Sequence, residues 1–144
     1  MRVGSGDQRL VIEATHAAWA AGDLATIGAL IHDDAQWLVH LPPGAWPLAG
    51  ALQGKPLVMR SLRAVARDFE VLEYEPLKIV RHDGFWLSRA RIGYRHRATG
   101  LVYDGTVTSF WQFERDKIIM HEAFHDAARL RAFFEMVSRI GAEV

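Results

Sequence analysis

Towards its end the chain reads His121-Glu122-Ala123-Phe124-His125, the H-E-x-x-H spelling with which zinc peptidases set two imidazoles and a general base around one metal. That chemistry needs a helix, where residues i and i+4 stand about 6 Å apart and can share an ion. On a strand the same two histidines are separated by about 13 Å. Ile118-Ile119-Met120, just after the turn residues Arg115-Asp116, favours a strand. A third ligand would have to come from Glu135 or Glu143, with little chain left to build a cleft. The spelling therefore reads as coincidence. A zinc peptidase is only a remote alternative, and neither a metal nor another cofactor is expected.

On a strand, alternation sends His121, Ala123 and His125 to one face. The same parity in the two preceding strands turns Ser109, Tyr103, Tyr94 and Ile92 inward, together with Trp86 and Trp111; His96, and His40 and Trp37 from an earlier strand, are further candidates. A neutral imidazole can take and return a proton near pH 7, and a tyrosine or serine hydroxyl can donate to a developing oxyanion. This equipment suits proton abstraction beside a carbonyl, as in an isomerase, cyclase or dehydratase. His125 is the first choice for the base, with His121, Tyr103 or Ser109 assisting and Asp126 placed to orient it. His40, Trp37, Trp86, Tyr94, Trp111, Ile92 and Ala123 are the expected lining. Taken singly, each residue has a plain structural explanation, a hydrogen-bonded core histidine or ordinary sheet packing. A non-catalytic ligand-binding or interaction module is therefore the alternative to an enzyme.

These residues need a sheet and a lining of helices. A lead over residues 1–6, taken as flexible, precedes a helix with Asp7 as N-cap and Leu10, Val11, Ala14, Ala17, Ala18 and Ala21 at helical spacing. Gly22 stops it, and Asp23 caps a second helix with Leu24, Ile27, Leu30 and Ile31 as its stripe. Asp33-Asp34 reads as a break and 35–41 as a strand. Residues 42–54 read as an ordered loop packed by Trp46 and Leu48. Pro56 then opens a helix whose apolar face is Leu57, Val58, Leu62, Val65, Ala66 and Phe69. The period then changes. Residues 71–82, 85–97, 101–114 and 117–125 read as four strands, with Asp83-Gly84 a two-residue hairpin signal, and Asp126 caps a last helix. Alternation in 85–97 puts the even positions in the core and Arg89, Arg91, Arg95 and Arg97 outside, a ladder that acids of another strand or subunit could pair. Helices, an antiparallel meander and a final helix make an α+β plan.

Composition narrows the classes. The 144 residues suit a single domain, half of them are apolar, and 17 basic residues balance 17 acidic ones. Zero net charge argues against a general nucleic-acid binder. The absence of cysteine removes disulfides, thiolate metal sites and a cysteine nucleophile. No apolar run approaches the roughly 18 residues of a membrane span, and a cytoplasmic protein is the expectation.

Several short motifs in order resemble one superfamily. Ala21-Gly22-Asp23-Leu24, Ile27, Ala29-Leu30 and Asp33-Asp34-Ala35 are similar to the helix-to-strand entry of ketosteroid isomerases. Pro43-Gly44 followed by Pro47-Leu48-Ala49-Gly50 and Gly54 resembles the SnoaL-like branch, and 84–126 is similar to limonene epoxide hydrolase. The resemblance implies an NTF2-like cone, a curved mixed or antiparallel sheet around N-terminal helices with an internal pocket for a small hydrophobic molecule. It also implies a homodimer through the outer sheet face. The known catalysts do not carry over. The isomerase base falls at Val39 or His40 and its oxyanion donors at Thr15 and Ser109, while the hydrolase carboxylates and arginine fall at Ile92, Ala123 and Ala90. Both specific activities are rejected on those residues.

Overall fold

The computed structural model describes residues 5–143, with side chains for 7–141. Four helices and six strands follow in the order α1 (Ser5–Ala21), α2 (Leu24–Leu30), β1 (Ile31–Val39), β2 (Gly50–Gln53), α3 (Lys55–Asp68), β3 (Phe69–His82), β4 (Phe85–His96), β5 (Val102–Glu114), β6 (Lys117–His125) and α4 (Ala127–Glu143). The sheet order is β2-β1-β6-β5-β4-β3. All its pairings are antiparallel except that of β1 with β6, which is parallel. The result is an α+β cone with a mixed, curved, open sheet.

Local chemistry explains most boundaries. The Asp23 carboxylate accepts from the Thr26 backbone N–H and starts α2, and Asp126 does the same for α4 through Arg129 N at 3.1 Å. Pro56 lies in the first turn of α3. The β3–β4 hairpin turns on Asp83-Gly84, where only the glycine takes positive φ, 78°. Bulges bend the sheet. Register shifts interrupt β3–β4 twice, β5–β6 at Gln112/Phe113, and β1–β6 between Ile31 and Gln36. Each extra residue kinks its strand and increases the twist.

Four expectations need correction. The first helix already includes Ser5 and Gly6, so Asp7 lies in its first turn rather than at its cap; the rest of the expected lead, residues 1–4, lies outside the described residues. Its buried stripe is Ile12, Thr15, His16 and Trp19, the i, i+3, i+4, i+7 pattern, joined by Ala18 as expected, whereas Leu10 is 60% exposed and Ala17 and Ala21 face out. Asp33-Asp34 is no break but lies inside β1, both side chains exposed, where the register against β6 slips. The loop after β1 holds Trp46 and Leu48 in the core as expected, but its end, Gly50–Gln53, is strand β2.

The inner sheet face is aromatic and close-packed. Trp86, Ser88, Ala90, Ile92 and Tyr94 of β4 and Tyr103, Val107, Ser109 and Trp111 of β5 are all buried, as alternation requires. Two of the outer arginines pair with acids of β3, while Arg97 donates to the Ala66 carbonyl. Arg95 meets Glu70 at 2.8 Å, and Arg91 lies 3.7 Å from both Glu73 and Glu75. These pairs are solvent-exposed and contribute little to stability.

One close approach is testable. The Tyr103 ring lies along β5 over Gly105, so that a Cβ there would sit 2.8 Å from Oη and 3.2 Å from Cζ. Phe133 and the Arg129 guanidinium cover the same ring, leaving little room to yield. Gly105→Ala is expected to destabilise the chain by about 1–3 kcal/mol. Tyr103→Phe, which removes a buried hydroxyl without a partner, should relieve part of that cost. A double-mutant cycle by urea unfolding checks it, and additive effects would refute the steric explanation.

Candidate functional site

A partly open cavity lies between the helices and the inner sheet face. Its walls come from α1 (Thr15, His16, Trp19), α2 (Ile27), β1 (Trp37), the following loop (Trp46, Leu48), α3 (Leu62), β3 (Tyr74), β4 (Tyr94), β5 (Trp111) and β6 (His121, Ala123, His125). Four of the chain's five tryptophans therefore meet at one place. The cavity's volume open to water is about 50 Å³. That holds a few waters or a slim ligand rather than a bulky one. Lining residues include no Lys, Arg, Asp or Glu.

The walls are ordered by ring packing. Trp111 donates its indole N–H to Ser88 Oγ at 2.8 Å. His121 packs tilted against both Trp37 and Trp111, with ring centroids 4.2 and 4.3 Å away. His16 packs 5.0 Å from Tyr74 and 5.6 Å from Trp111. His125, at the end of β6, meets Trp46 edge-on at 6.0 Å. Trp46 also packs on Phe134 of α4, 5.7 Å away, so loop and helix close that end together. Trp19 Nε1 donates to the Tyr94 hydroxyl at 2.9 Å.

The polar atoms of this wall are largely unpartnered. Both ring nitrogens of His16, both of His121, Nδ1 of His125 and Nε1 of Trp46 are buried without a hydrogen bond. Burial makes protonation costly. It lowers the His16 pKa to about 4 and that of His125 to about 4. His121 falls to about 3, through burial first and then repulsion from the other two imidazoles. All three are neutral at pH 7. Burial likewise pushes the Tyr74 and Tyr94 hydroxyls up, so both stay protonated.

Of the residues expected at the site, the structure brings together His121, His125, Trp37, Tyr94, Trp111 and Ala123. Others lie elsewhere. His40 is exposed, because Trp37 and Val39 face inward and alternation turns the next residue out; its Nε2 lies 2.6 Å from Glu122 and its ring stacks on Phe124, on the outer side of the sheet. Trp86 lies off the cavity, donating to Gln8 Oε1 at 2.9 Å beneath Arg81. Ile92, Tyr103 and Ser109 point inward and are buried, but outside the cavity wall. Tyr103 is covered by Phe133 of α4. His96 bonds Thr99 Oγ1 at 2.9 Å and shapes the β4–β5 turn. Asp126 is engaged as the α4 cap, leaving His125 Nδ1 without a carboxylate. Glu122 faces away from His121 on strand β6, so the H-E-x-x-H spelling does not form the peptidase arrangement.

His16 is the titratable wall residue that sequence reasoning missed, along with the rings of Trp19, Trp46 and Tyr74. Two polar residues, Thr15 and His16, stand in the middle of the buried stripe of α1, and the alanines on the neighbouring face drew the reading away. Ile12 and Trp19 at i and i+7 carried the signal, since a tryptophan outweighs several alanines in buried area.

A curved sheet wrapped around helices, with an aromatic cavity between them, defines the NTF2-like class. The chain belongs to the SnoaL-like domain family, whose model matches residues 12–121. An NTF2-like protein of unknown function from Burkholderia pseudomallei superposes with a TM-score of 0.77 at 17% identity, over 89% of this chain and 97% of that one. An LEH-like epoxide hydrolase from M. tuberculosis gives 0.73 at 14%, over 95% and 97%. A protein with ketosteroid isomerase-like fold from Catenulispora acidiphila, solved in complex with trimethylamine, gives 0.72 at 13%, over 87% and 92%. A search of curated proteins finds no match. No helix among the described residues is long and apolar enough to cross a membrane.

The neutral imidazoles predict how stability changes with pH. Unfolded histidines bind protons below about pH 6.5, while His16, His121 and His125 in the fold do not until about pH 3–4. Protons therefore favour the unfolded chain across that window, and stability falls as pH falls. Each imidazole contributes a slope of up to about 1.4 kcal/mol per pH unit. His121→Phe, which preserves the ring against Trp37 and Trp111, should flatten the slope between pH 6 and 4 by about one proton. Urea unfolding across that range measures it, and an unchanged slope would contradict a neutral buried His121.

Proposed function

We propose that the chain binds a small hydrophobic molecule in this cavity and catalyses cofactor-free proton transfer beside a carbonyl, an isomerase, cyclase or dehydratase type of reaction. The observation that carries the reading is the set of three neutral imidazoles with unpartnered nitrogens on one aromatic wall. His125 is the base. It is the least enclosed of the three, next to the closing Trp46. Being neutral, it is ready to accept a proton, and a pKa of about 4 gives it the basicity of an ordinary carboxylate. It takes the proton from the carbon next to the carbonyl, the electron pair moves to oxygen, and the imidazolium returns the proton to the same or a conjugated carbon. Hydrogen bonding to the enolate oxygen supplies the stabilisation that makes a weak base sufficient.

The second reading is that the cavity only holds its guest. Its uncharged walls favour this, because no charged side chain there neutralises an ionic intermediate. Solvent deuterium exchange separates the two. Enolisable ketones, including aryl ketones and 1,3-dicarbonyls, incubated with the protein in D2O should lose α-proton NMR signal faster than with buffer, and His125→Ala should slow that loss by about 100-fold or more. Binding without enhanced exchange supports the non-catalytic reading.

The active form is a homodimer through the outer sheet face. A row of rings crosses that face. Phe85 lies 5.6 Å from Phe110, which lies 5.7 Å from Phe124, itself 39% exposed and stacked on His40. The His40–Glu122 pair borders it, Glu122 standing opposite Phe110 in the β5–β6 register, so apolar rings and a charged edge lie together as in a protein interface. Phe110→Glu should halve the mass seen by sedimentation equilibrium; a wild-type monomer would refute the dimer.

A further inference from the structure

We infer that the indole of Trp46 is the size filter of the cavity: it fills the end beside His125, and a ring-sized guest is admitted only by displacing it towards solvent. The inference rests on the reading that the cavity takes a small hydrophobic molecule. It does not depend on His125 acting as a base.

Volume makes the demand. The space open to water is about 50 Å³, whereas a cavity that takes up benzene measures about 150 Å³. The fold as it stands admits water and lacks room for a six-membered ring. A wall side chain has to move before such a guest enters.

Three of the four wall tryptophans are held in place. Trp37 stands on β1 and Trp111 on β5, each strand paired on both sides, and Trp111 is bonded to Ser88 as well. Trp19 stands on α1 and donates to the Tyr94 hydroxyl. Moving any of these disrupts a strand ladder or a buried hydrogen bond, at the cost of leaving polar groups unpaired. Trp46 differs on each count. It stands in the loop between β1 and β2, and its Nε1 is buried without a partner. The backbone N–H groups of Ala45 and Ala49 donate to Pro42 and Trp46, within the loop itself. Two residues before the indole, Gly44 holds a φ of 88° with open space around it, so torsion there meets no side chain.

Ring packing alone keeps the indole in. Tyr94, His125 and Phe69 meet it edge-on at 5.6, 6.0 and 6.3 Å, and Phe134 tilts over it at 5.7 Å. Phe134 is itself half-buried, so the rings run outward from His125 through Trp46 and Phe134 to solvent. Displacement costs this indole less than it would cost its neighbours. Inside, its N–H lacks the hydrogen bond that it makes in water; turned outward, it regains that bond. The apolar contacts it gives up are made again by a guest lying against the same rings. No charged side chain stands in the wall, so the guest that replaces the indole is a flat, uncharged body of one or two fused rings.

The probe is indole itself, added to the full chain labelled with 5-fluorotryptophan and followed by 19F NMR and calorimetry. Trp46→Phe assigns the Trp46 signal. On binding, that signal should acquire the D2O isotope shift of a solvent-exposed ring, while Trp86, off the cavity, stays still. Trp46→Gly vacates the place and should bind indole about 10-fold more tightly than the wild type. If this variant fails to fold, the wild-type 19F spectrum decides alone. Binding with the Trp46 signal still buried would overturn the filter and keep the cavity reading. Equal affinities in wild type and Trp46→Gly would overturn it too, as would binding by the variant alone at millimolar indole, which makes Trp46 a fixed wall. No binding by either removes both the filter and the cavity reading. An exposed Trp46 without deuterium exchange of ketones removes the catalytic reading and keeps the filter.

Discussion

One indole organises the interior. Trp111 is 1% exposed at the centre of the inner sheet face, and its N–H is satisfied by Ser88 on the adjacent strand. With that bond made, the ring plane is fixed, and the faces and edges it offers are divided among His16, Trp37 and His121. α1, β1, β5 and β6 thus meet at a single side chain. The cross-strand pairing of Trp111 with Trp86 on one side and His121 on the other puts it in register with both neighbours. A one-residue slip would turn the whole aromatic set outward, so the bulge between Gln112 and Phe113 is as much a part of the cavity as the rings are.

That bulge also explains what alternation alone could not. Ile118 and His121 are both buried on β6 although their parity differs. The register shift at Gln112/Phe113 absorbs the odd residue and lets both ends of the strand face inward. Where a strand is regular, parity is a sufficient guide, as in β4, whose burial alternates from Trp86 to Ile92. Where it is bulged, pattern gives two mixed faces.

Legibility followed the same line. Hairpin residues, caps and alternation placed β3 to β6 within two residues and turned His121, His125, Trp111 and Tyr94 inward, because these depend on local rules. His40 has the opposite parity to Trp37 and Val39, so its side chain meets Glu122 outside. The other misplacements depended on tertiary context. Tyr103 and Ser109 have the right parity yet lie beyond the cavity, since facing inward says nothing about which inward space a residue meets. His16 failed differently. Its helix buries two polar positions, and a reading that follows apolar residues rotates the helix away from them.

Those polar positions are the least explained by folding alone. A buried, unpaired donor or acceptor costs about 1–3 kcal/mol in a domain whose net stability is of order 5–15 kcal/mol. A chain under selection for stability alone would fill the space with leucine and phenylalanine, as it does under α4 with Leu130 and Phe133. Instead, the imidazoles of His16 and His121 and the indole N–H of Trp46 stand open around the same volume. Packing against Trp111 determines where the histidine rings sit but leaves their nitrogens unsatisfied. Water or a guest completes the imidazoles, and solvent completes the indole once it turns outward. The energy withheld from the empty fold is thereby available to binding, which is how an aromatic cavity gains selectivity for a polar group inside an apolar guest.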